Sequence, residues 1–259
     1  MEKLSPAQIK ENFDRDGFVF LPGFLSTKEM AELNSKLELF IKEKVPALAA
    51  QHAFYEDKSD SSTLKQLFEL HTYDTFFKAL LYQRKLKKLA EDILGEEVIA
   101  QNLEYFNKPA RIGKPTPPHQ DNYYFMLSPP SAITMWLALE DVDETNGCVR
   151  YVRGSHLQGM RPHVKTEVFG FSQGIINYGR EEDIKNELAF PASPGDLLIH
   201  HAMTVHRADA NTHHSRSRKA LGLVYWGKCV AKENMEIKEA YKRIVADEIK
   251  ANAIEKSSI

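Results

Sequence analysis

Two cysteines in 259 residues are too few to organise a structure. Cys148 and Cys229 stand far apart and form no CxxC pair, which argues against a disulfide framework or a thiolate zinc site and fits a reducing compartment. Long apolar runs are missing as well. No stretch approaches the roughly 18–20 residues that span a bilayer, and the opening Met1-Glu-Lys-Leu-Ser-Pro6 has no apolar segment of the secretory kind. A cytosolic protein without a membrane partner is therefore expected. Neither sign of charge dominates: 34 Lys and Arg against 36 Asp and Glu give a formal net charge of −2, so there is no basic field to attract nucleic acid. Internal repeats and low-complexity tracts are absent too. What is present is ordinary for a globular chain, 42% hydrophobic and 27% charged, and the length suits one large core better than two. A single domain over 1–259 is the expectation.

The first 96 residues read as mainly helical. Ser5-Pro6-Ala7-Gln8 is a capping box with proline at the first helical position, Ile9 and Phe13 share a face, and Gly17 is a stop. Phe18–Leu21 is a short apolar strand closed by Pro22-Gly23. Ser26 to Glu29 is a second capping box, opening a helix with Met30, Leu33, Leu37 and Phe40 inward. Residues 56–62 read as an exposed loop, and two further helices are expected over 63–82 and 84–94, the second ended by Gly95. From residue 97 the texture changes to short β-rich runs between Gly, Pro and Asn turns: 97–107, 119–126, 132–139, 148–153, 188–191, 195–201 and 218–228. Such evenly punctuated strands indicate a sandwich or barrel over 97–230. A C-terminal helix is expected in 231–259, with Ile237, Tyr241, Ile244, Val245 and Ile249 sharing a face over 233–251; it docks on its own barrel or on a second subunit, and the oligomeric state stays open.

The segment Pro117-Pro118-His119-Gln120-Asp121 carries the chemistry. In an extended strand residues i and i+2 point to the same side, so an H-x-D pair sets an imidazole beside a carboxylate. With one later histidine this makes a facial triad that leaves three positions of an octahedral iron open. Pro194-Gly195-Asp196 turns into Leu197–His201, and Thr204-Val205-His206-Arg207 follows, so His200, His201 and His206 are the candidates for the third ligand. His206 stands out because Arg218 lies 12 residues on (218 − 206), at the head of a run that reads as a buried strand. A buried arginine there would grip a dicarboxylate by a bidentate fork; Arg216 competes for the same role.

On these residues the sequence resembles the phytanoyl-CoA dioxygenase family of Fe(II)/2-oxoglutarate oxygenases. The matching pieces are the opening from Asp14 to Leu25, His119-Gln-Asp121, the run Met135–Asp143, Asn146–Val149, Val152–His156, Pro194–Leu198, and His206 with Asn211 and Arg218-Lys-Ala220. They cover roughly residues 10 to 228 in order. The resemblance implies a double-stranded β-helix (a cupin-like jelly roll) with flanking helices, iron at His119, Asp121 and His206, and 2-oxoglutarate with its distal carboxylate on Arg218. Trp136 would lie beside the cosubstrate, and Asn102 and Lys108 hold positions of polar cosubstrate contacts. With O₂ as oxidant, the implied reaction is hydroxylation of an unactivated C–H bond with release of succinate and CO₂. Some relatives are halogenases that replace the ligand carboxylate by a small residue; Asp121 here favours hydroxylation. The interval from His206 to Arg218 is one residue longer than the family pattern, which keeps Arg216 in view.

The substrate is less determined. Glu104 and Tyr105 on the strand before the triad, and Tyr123 just after it, are candidate substrate contacts. Arg111, Arg153, Arg161, His163 and Arg180, if clustered, would suit an anionic small molecule. His213 and His214 read as an exposed loop. The glycine-bearing segment 156–187 is a candidate lid over the barrel mouth. The rival readings are a metal-binding jelly roll without turnover, a cupin-like isomerase or hydrolase using another metal, and a protein hydroxylase.

Overall fold

The structure is a computed structural model that describes residues 4–49, 52–57, 59–166, 173–230 and Glu239. Its N-terminal helices begin and end where local chemistry says they should. Helix α1 (Pro6–Asp16) has the reciprocal Ser5–Gln8 cap, and α2 (Thr27–Glu43) has the same device from Ser26 and Glu29. Each box satisfies two otherwise orphaned backbone donors. Gly17, at φ +84°, takes the left-handed conformation that ends α1.

Between these helices and the barrel the chain departs from the helical expectation for 63–82. Strand β1 (Phe18–Leu21) forms as foreseen and joins the main sheet, but so do β2 (Ala53–Tyr55) and β3 (Leu64–Leu67), and only then come the short helices α3 (Leu70–Tyr73) and α4 (Thr75–Leu81). Leu64, Leu67 and Leu70 recur at three-residue spacing, which mimics a helical face. The strand wins because all four residues of β3 are buried between β2 and the next long strand, and its backbone is satisfied on both edges. Glu69 at φ +58° makes the break, and the Asp74 carboxylate accepts from Phe76 N at 2.8 Å to start α4. Helix α5 (Arg84–Leu94) is closed by Gly95, as expected.

The barrel strands follow: β4 (Val98–Lys108), β5 (Thr116–His119), β6 (Ala132–Ala138), β7 (Val149–Val152), β8 (His163–Lys165), β9 (Gln173–Ile175), β10 (Glu187–Phe190), β11 (Leu197–His201), β12 (His206–Ala208) and β13 (Arg218–Gly227), with the short helices α6 (Asn122–Phe125) and α7 (Glu181–Asn186) between them. A seven-stranded antiparallel sheet runs β1-β11-β6-β13-β4-β3-β2 and faces a four-stranded one, β10-β7-β12-β5. The result is a double-stranded β-helix with helices on one side.

Alternation along β6 shows how the layers divide. Ile133, Met135 and Leu137 join Leu103, Tyr105, Leu221, Leu223 and Tyr225 in a core shared with α1, α2, α4 and α5. Trp136 and Ala138 point the other way, with Leu198 and Ala220, against Val149 and Tyr151 of the small sheet. Burying an aliphatic or aromatic side chain is worth ~1.5–3 kcal/mol, so a one-residue slip in β6 would forfeit both layers at once. The buried Tyr225 hydroxyl donates to Leu81 O at 2.7 Å and ties the sheet to α4.

In the segment 156–187, the described residues form the hairpin β8–β9 and helix α7, with Tyr124 donating to Gln173 O at 3.2 Å. The helix expected over 233–251 lies outside the described residues, Glu239 apart. Among the described residues no helix is long and apolar enough to cross a membrane.

Candidate metal centre

The strand expected over 119–126 is a correction in the structure. Strand β5 ends at His119, and Asp121 has helical dihedrals (φ −59°, ψ −34°) at the entry of α6. The turn is held by side chains that alternation does not reveal. Gln120 Nε2 donates to Gly159 O and Met203 O at 2.9 and 2.7 Å, and the Asn122 backbone donates to Ala202 O at 2.8 Å. Asp121 still reaches His119, by a turn rather than by strand periodicity. His206 arrives from the neighbouring strand, directly opposite His119 in the β12–β5 ladder.

The three side chains converge. The ring centroids of His119 and His206 are 4.1 Å apart, each Nε2 is 3.5 Å from Asp121 Oδ1, and the three ligand atoms lie within 4.8 Å of one another. Both imidazoles are oriented from behind: His119 Nδ1 faces Pro117 O at 2.8 Å and His206 Nδ1 faces Thr204 O at 3.0 Å. A carbonyl only accepts, so each Nδ1 carries the hydrogen and each Nε2 turns its lone pair to the centre. Burial, reinforced by the two neighbouring imidazoles, pushes His206 well below its usual range. Burial alone would raise Asp121, but the surrounding imidazoles of His206, His119 and His200 hold it well below the usual carboxylate range. Two inward nitrogens and one carboxylate are a donor set that fits a ferrous ion with open positions.

A residue that the sequence offered as an alternative third ligand completes the arrangement in a different role. His200 sits on β11 opposite Thr134 of β6, and both contact the second carboxylate oxygen: Thr134 Oγ1 at 2.5 Å and His200 Nε2 at 3.0 Å from Asp121 Oδ2. The carboxylate accepts, so His200 Nε2 donates and its Nδ1 accepts from the Tyr151 hydroxyl at 3.0 Å. The adjacent His201 faces the opposite side, near Phe13 and His156. The available signal was that odd and even positions of 197–201 face opposite layers; choosing the even face required the register with β6. Substituting His200→Phe keeps the volume and removes the donor, and is expected to weaken Fe(II) affinity about 10–100-fold. His200→Gln, which restores an N–H near Nε2, should recover part of that loss in a metal-binding titration.

These groups line a cavity of 390 Å³ between the sheets. Its far end is cationic. Arg218 pairs with Lys108 across the β13–β4 ladder, and both are buried. Arg218 lies 5.6 Å from the Trp136 ring centroid, and its Nε has no hydrogen-bond partner among the described residues. Burial brings Arg218 down to about 10 and, with the Arg218 charge, holds Lys108 well below its usual range. Among the described residues neither cation forms an ion pair, although Lys108 Nζ donates to Lys114 O. Arg216 instead donates outward to Asp143 and to His213 Nε2, so Arg218 is the one in the cavity.

The remaining sequence candidates divide by strand face. Glu104 lines the cavity, and Asn102 Nδ2 donates to its Oε1 at 2.5 Å. Tyr105 is corrected: as an odd residue of β4 it is turned into the helix-side core. Tyr123 is corrected as well. The turn at Asp121 breaks the two-residue alternation and leaves Tyr123 stacked on His163, centroids 4.2 Å apart, while Tyr124 lines the cavity. The arginines expected to gather around an anion do not line it. Arg111 donates to His214 O, Arg153 lies 3.4 Å from Asp16, and Arg161 is buried in an ion pair with Asp183 at 2.7 Å.

Burial, with the charge of Asp121, pushes Glu104 from its ordinary value near 4.5 up to about 8. A carboxyl with a raised folded-state pKa binds protons more tightly in the native protein, so its cost to stability grows as pH rises from about 4.5 towards 8. Glu104→Gln is therefore expected to raise the melting temperature of the metal-free protein by about 5 °C at pH 8. It should change it little at pH 5. Equal effects at the two pH values would refute the shift.

A β-helix that presents two imidazoles and a carboxylate in one cavity with a buried arginine defines a jelly-roll metalloprotein of the two-histidine, one-carboxylate class. The chain belongs to the phytanoyl-CoA dioxygenase (PhyH) family, whose profile matches residues 13–220. It is 30% identical to phytanoyl-CoA dioxygenase 1 of Oryza sativa subsp. japonica, over 84% of this chain and 76% of that protein. It is 28% identical to phytanoyl-CoA dioxygenase domain-containing protein 1 of Bos taurus, over 85% and 89%. Among solved structures it resembles the epimerase SnoN in complex with Fe3+, alpha ketoglutarate and nogalamycin RO (TM-score 0.70, 24% identity, covering 88% of this chain and 86% of that one). It also resembles EctD from S. alaskensis with 2-oxoglutarate and 5-hydroxyectoine (TM-score 0.70, 21% identity, 86% and 76%) and the carbocyclase SnoK (TM-score 0.69, 21% identity, 90% and 89%).

Proposed function

We propose that the protein is an Fe(II)- and 2-oxoglutarate-dependent dioxygenase that hydroxylates an unactivated C–H bond of a small molecule. One O₂ is consumed, one oxygen atom entering the product and the other the succinate formed with CO₂ from 2-oxoglutarate. The observation that carries this reading is the coexistence, in one cavity, of the His119–Asp121–His206 donor set and the buried cations Arg218 and Lys108, Arg218 Nε having no hydrogen-bond partner among the described residues. The first suits the metal, the second the distal carboxylate of a dicarboxylic cosubstrate. The iron and 2-oxoglutarate or alpha ketoglutarate named for SnoN and EctD support the same assignment.

Bound at these residues, Fe(II) would supply O₂ activation at the expense of the keto acid. The chain's own part is positional. Thr134 and His200 hold Asp121 Oδ2, so that Oδ1 is aimed at the metal position. Trp136 flanks Arg218 and limits where the dicarboxylate lies. Phe106, Tyr124 and Phe125 give the cavity apolar walls that exclude water. Because Asp121 retains the ligand carboxylate, hydroxylation is favoured over halogenation. An interior cavity of 390 Å³ suits a small molecule better than a protein side chain reached through its backbone.

The test is succinate formation from 2-oxoglutarate by the Fe(II)-loaded protein, with O₂ uptake measured alongside, alone and across a small-molecule panel. No succinate in any condition, from protein with full iron occupancy, would overturn the proposal. Turnover that needs no 2-oxoglutarate and ignores Arg218 would replace it with a cupin-like isomerase or hydrolase.

A further inference from the structure

The cavity has two chemically opposite ends. Beyond the Arg218–Lys108 end, β4 and β3 bring together Glu104 and Gln66, which both line the cavity wall. Glu104 accepts from Asn102 Nδ2 at 2.5 Å and from Gln66 Nε2 at 3.4 Å. With their nitrogens turned to the carboxylate, both amides leave their oxygens over: Gln66 Oε1 and Asn102 Oδ1 are buried without a hydrogen-bond partner among the described residues. Gln66 is only 2% exposed, so this oxygen has no access to bulk water. A buried acceptor left unsatisfied costs ~1–3 kcal/mol, and the cost is incurred here twice, beside a carboxylate.

We propose that this end of the cavity is the substrate-recognition subsite and that it takes a protonated amine on the substrate. An ammonium group brings three donors and no acceptor, which matches a carboxylate and an adjacent amide oxygen. The rings of Phe68 and Phe106 in the same wall provide faces for the cation and for the carbon skeleton behind it. Gly222, opposite Glu104 on β13, has no side chain for a reason: a Cβ there would come 2.7 Å from the Phe106 ring. The Phe106 ring thus occupies the place of a Gly222 side chain, beside Glu104 in the cavity wall. An anionic substrate group is disfavoured at this end, because it would face Glu104 with Asp121 close enough to influence its charge. The inference rests on the oxygenase reading in that it leaves the Arg218 end to the cosubstrate.

The experiment is a ligand-observed NMR titration of the full-length, metal-free protein at pH 8 with three matched probes: cyclohexylmethylammonium, cyclohexylmethanol and cyclohexanecarboxylate. The ammonium is expected to bind most tightly and the carboxylate most weakly. Glu104→Gln should weaken the ammonium about tenfold or more while changing the alcohol less than about threefold. Gln66→Leu, which keeps the Glu104 carboxylate and removes the amide oxygen, should also weaken the ammonium and serves if Glu104→Gln fails to fold. Carboxylate binding as tight as ammonium binding, or ammonium binding indifferent to both substitutions, would overturn the inference. Titration of the Fe(II)-loaded wild-type protein with 2-oxoglutarate, without O₂, reports on the opposite end of the cavity. If 2-oxoglutarate binds but the ammonium shows no preference, the subsite assignment fails and the oxygenase reading stands; if 2-oxoglutarate does not bind, it is the oxygenase reading that fails.

Discussion

His206→Ala is expected to yield a folded protein that no longer retains Fe(II) and whose 2-oxoglutarate turnover falls by at least about a thousandfold. The fold should survive because β12 is held by backbone ladders to both β5 and β7, and because the truncated ring lies against the cavity rather than in the helix-side core. The metal should not survive. Without His206 Nε2 the donor set drops to one imidazole and one carboxylate, and a ferrous ion held by two protein groups is readily lost to solvent or chelator. A thousandfold loss corresponds to ~4 kcal/mol of transition-state stabilisation, in keeping with the several kcal/mol that a catalytic metal contributes. The measurement is iron content by elemental analysis beside the melting temperature and succinate formation. A variant with stoichiometric iron and normal turnover would remove His206 from the site.

The second large effect concerns the cosubstrate. Arg218→Ala should raise the KM for 2-oxoglutarate on the order of a hundredfold, the loss expected when one partner of a buried, hydrogen-bonded charge pair is removed. Arg218→Lys should restore only part of it, since a lysine ammonium keeps the charge but cannot reproduce the planar fork. Arg216→Ala is the control: its guanidinium is tied to Asp143 and His213 outside the cavity, and the KM should stay within about twofold. If both arginine variants behaved alike, the cationic end of the cavity would not be the cosubstrate site.

Several features were readable along the chain because they depend on neighbours in sequence. Capping boxes at Ser5 and Ser26 and the stops at Gly17 and Gly95 involve residues three or four apart, and all are found. The alternation of β6 was equally legible, because a strand with both faces buried still separates Trp136 from Met135. The helix expected over 63–82 was not formed, because the three-residue spacing of Leu64, Leu67 and Leu70 is ambiguous until β4 offers its edge.

The sequence by itself determined the H-x-D pair, the capped helices and the change to short strands, because residue type and short-range spacing encode them. Tertiary structure decided everything that depends on which strand lies beside which. It folded Asp121 back through a turn instead of along a strand, and it put His200 rather than His201 behind the carboxylate. It also turned Tyr105 and Tyr123 away, and it chose Arg218 over Arg216. The physical reason is common to all of these: a side chain's direction follows from local periodicity, but what it meets is set by the register of strands tens of residues away.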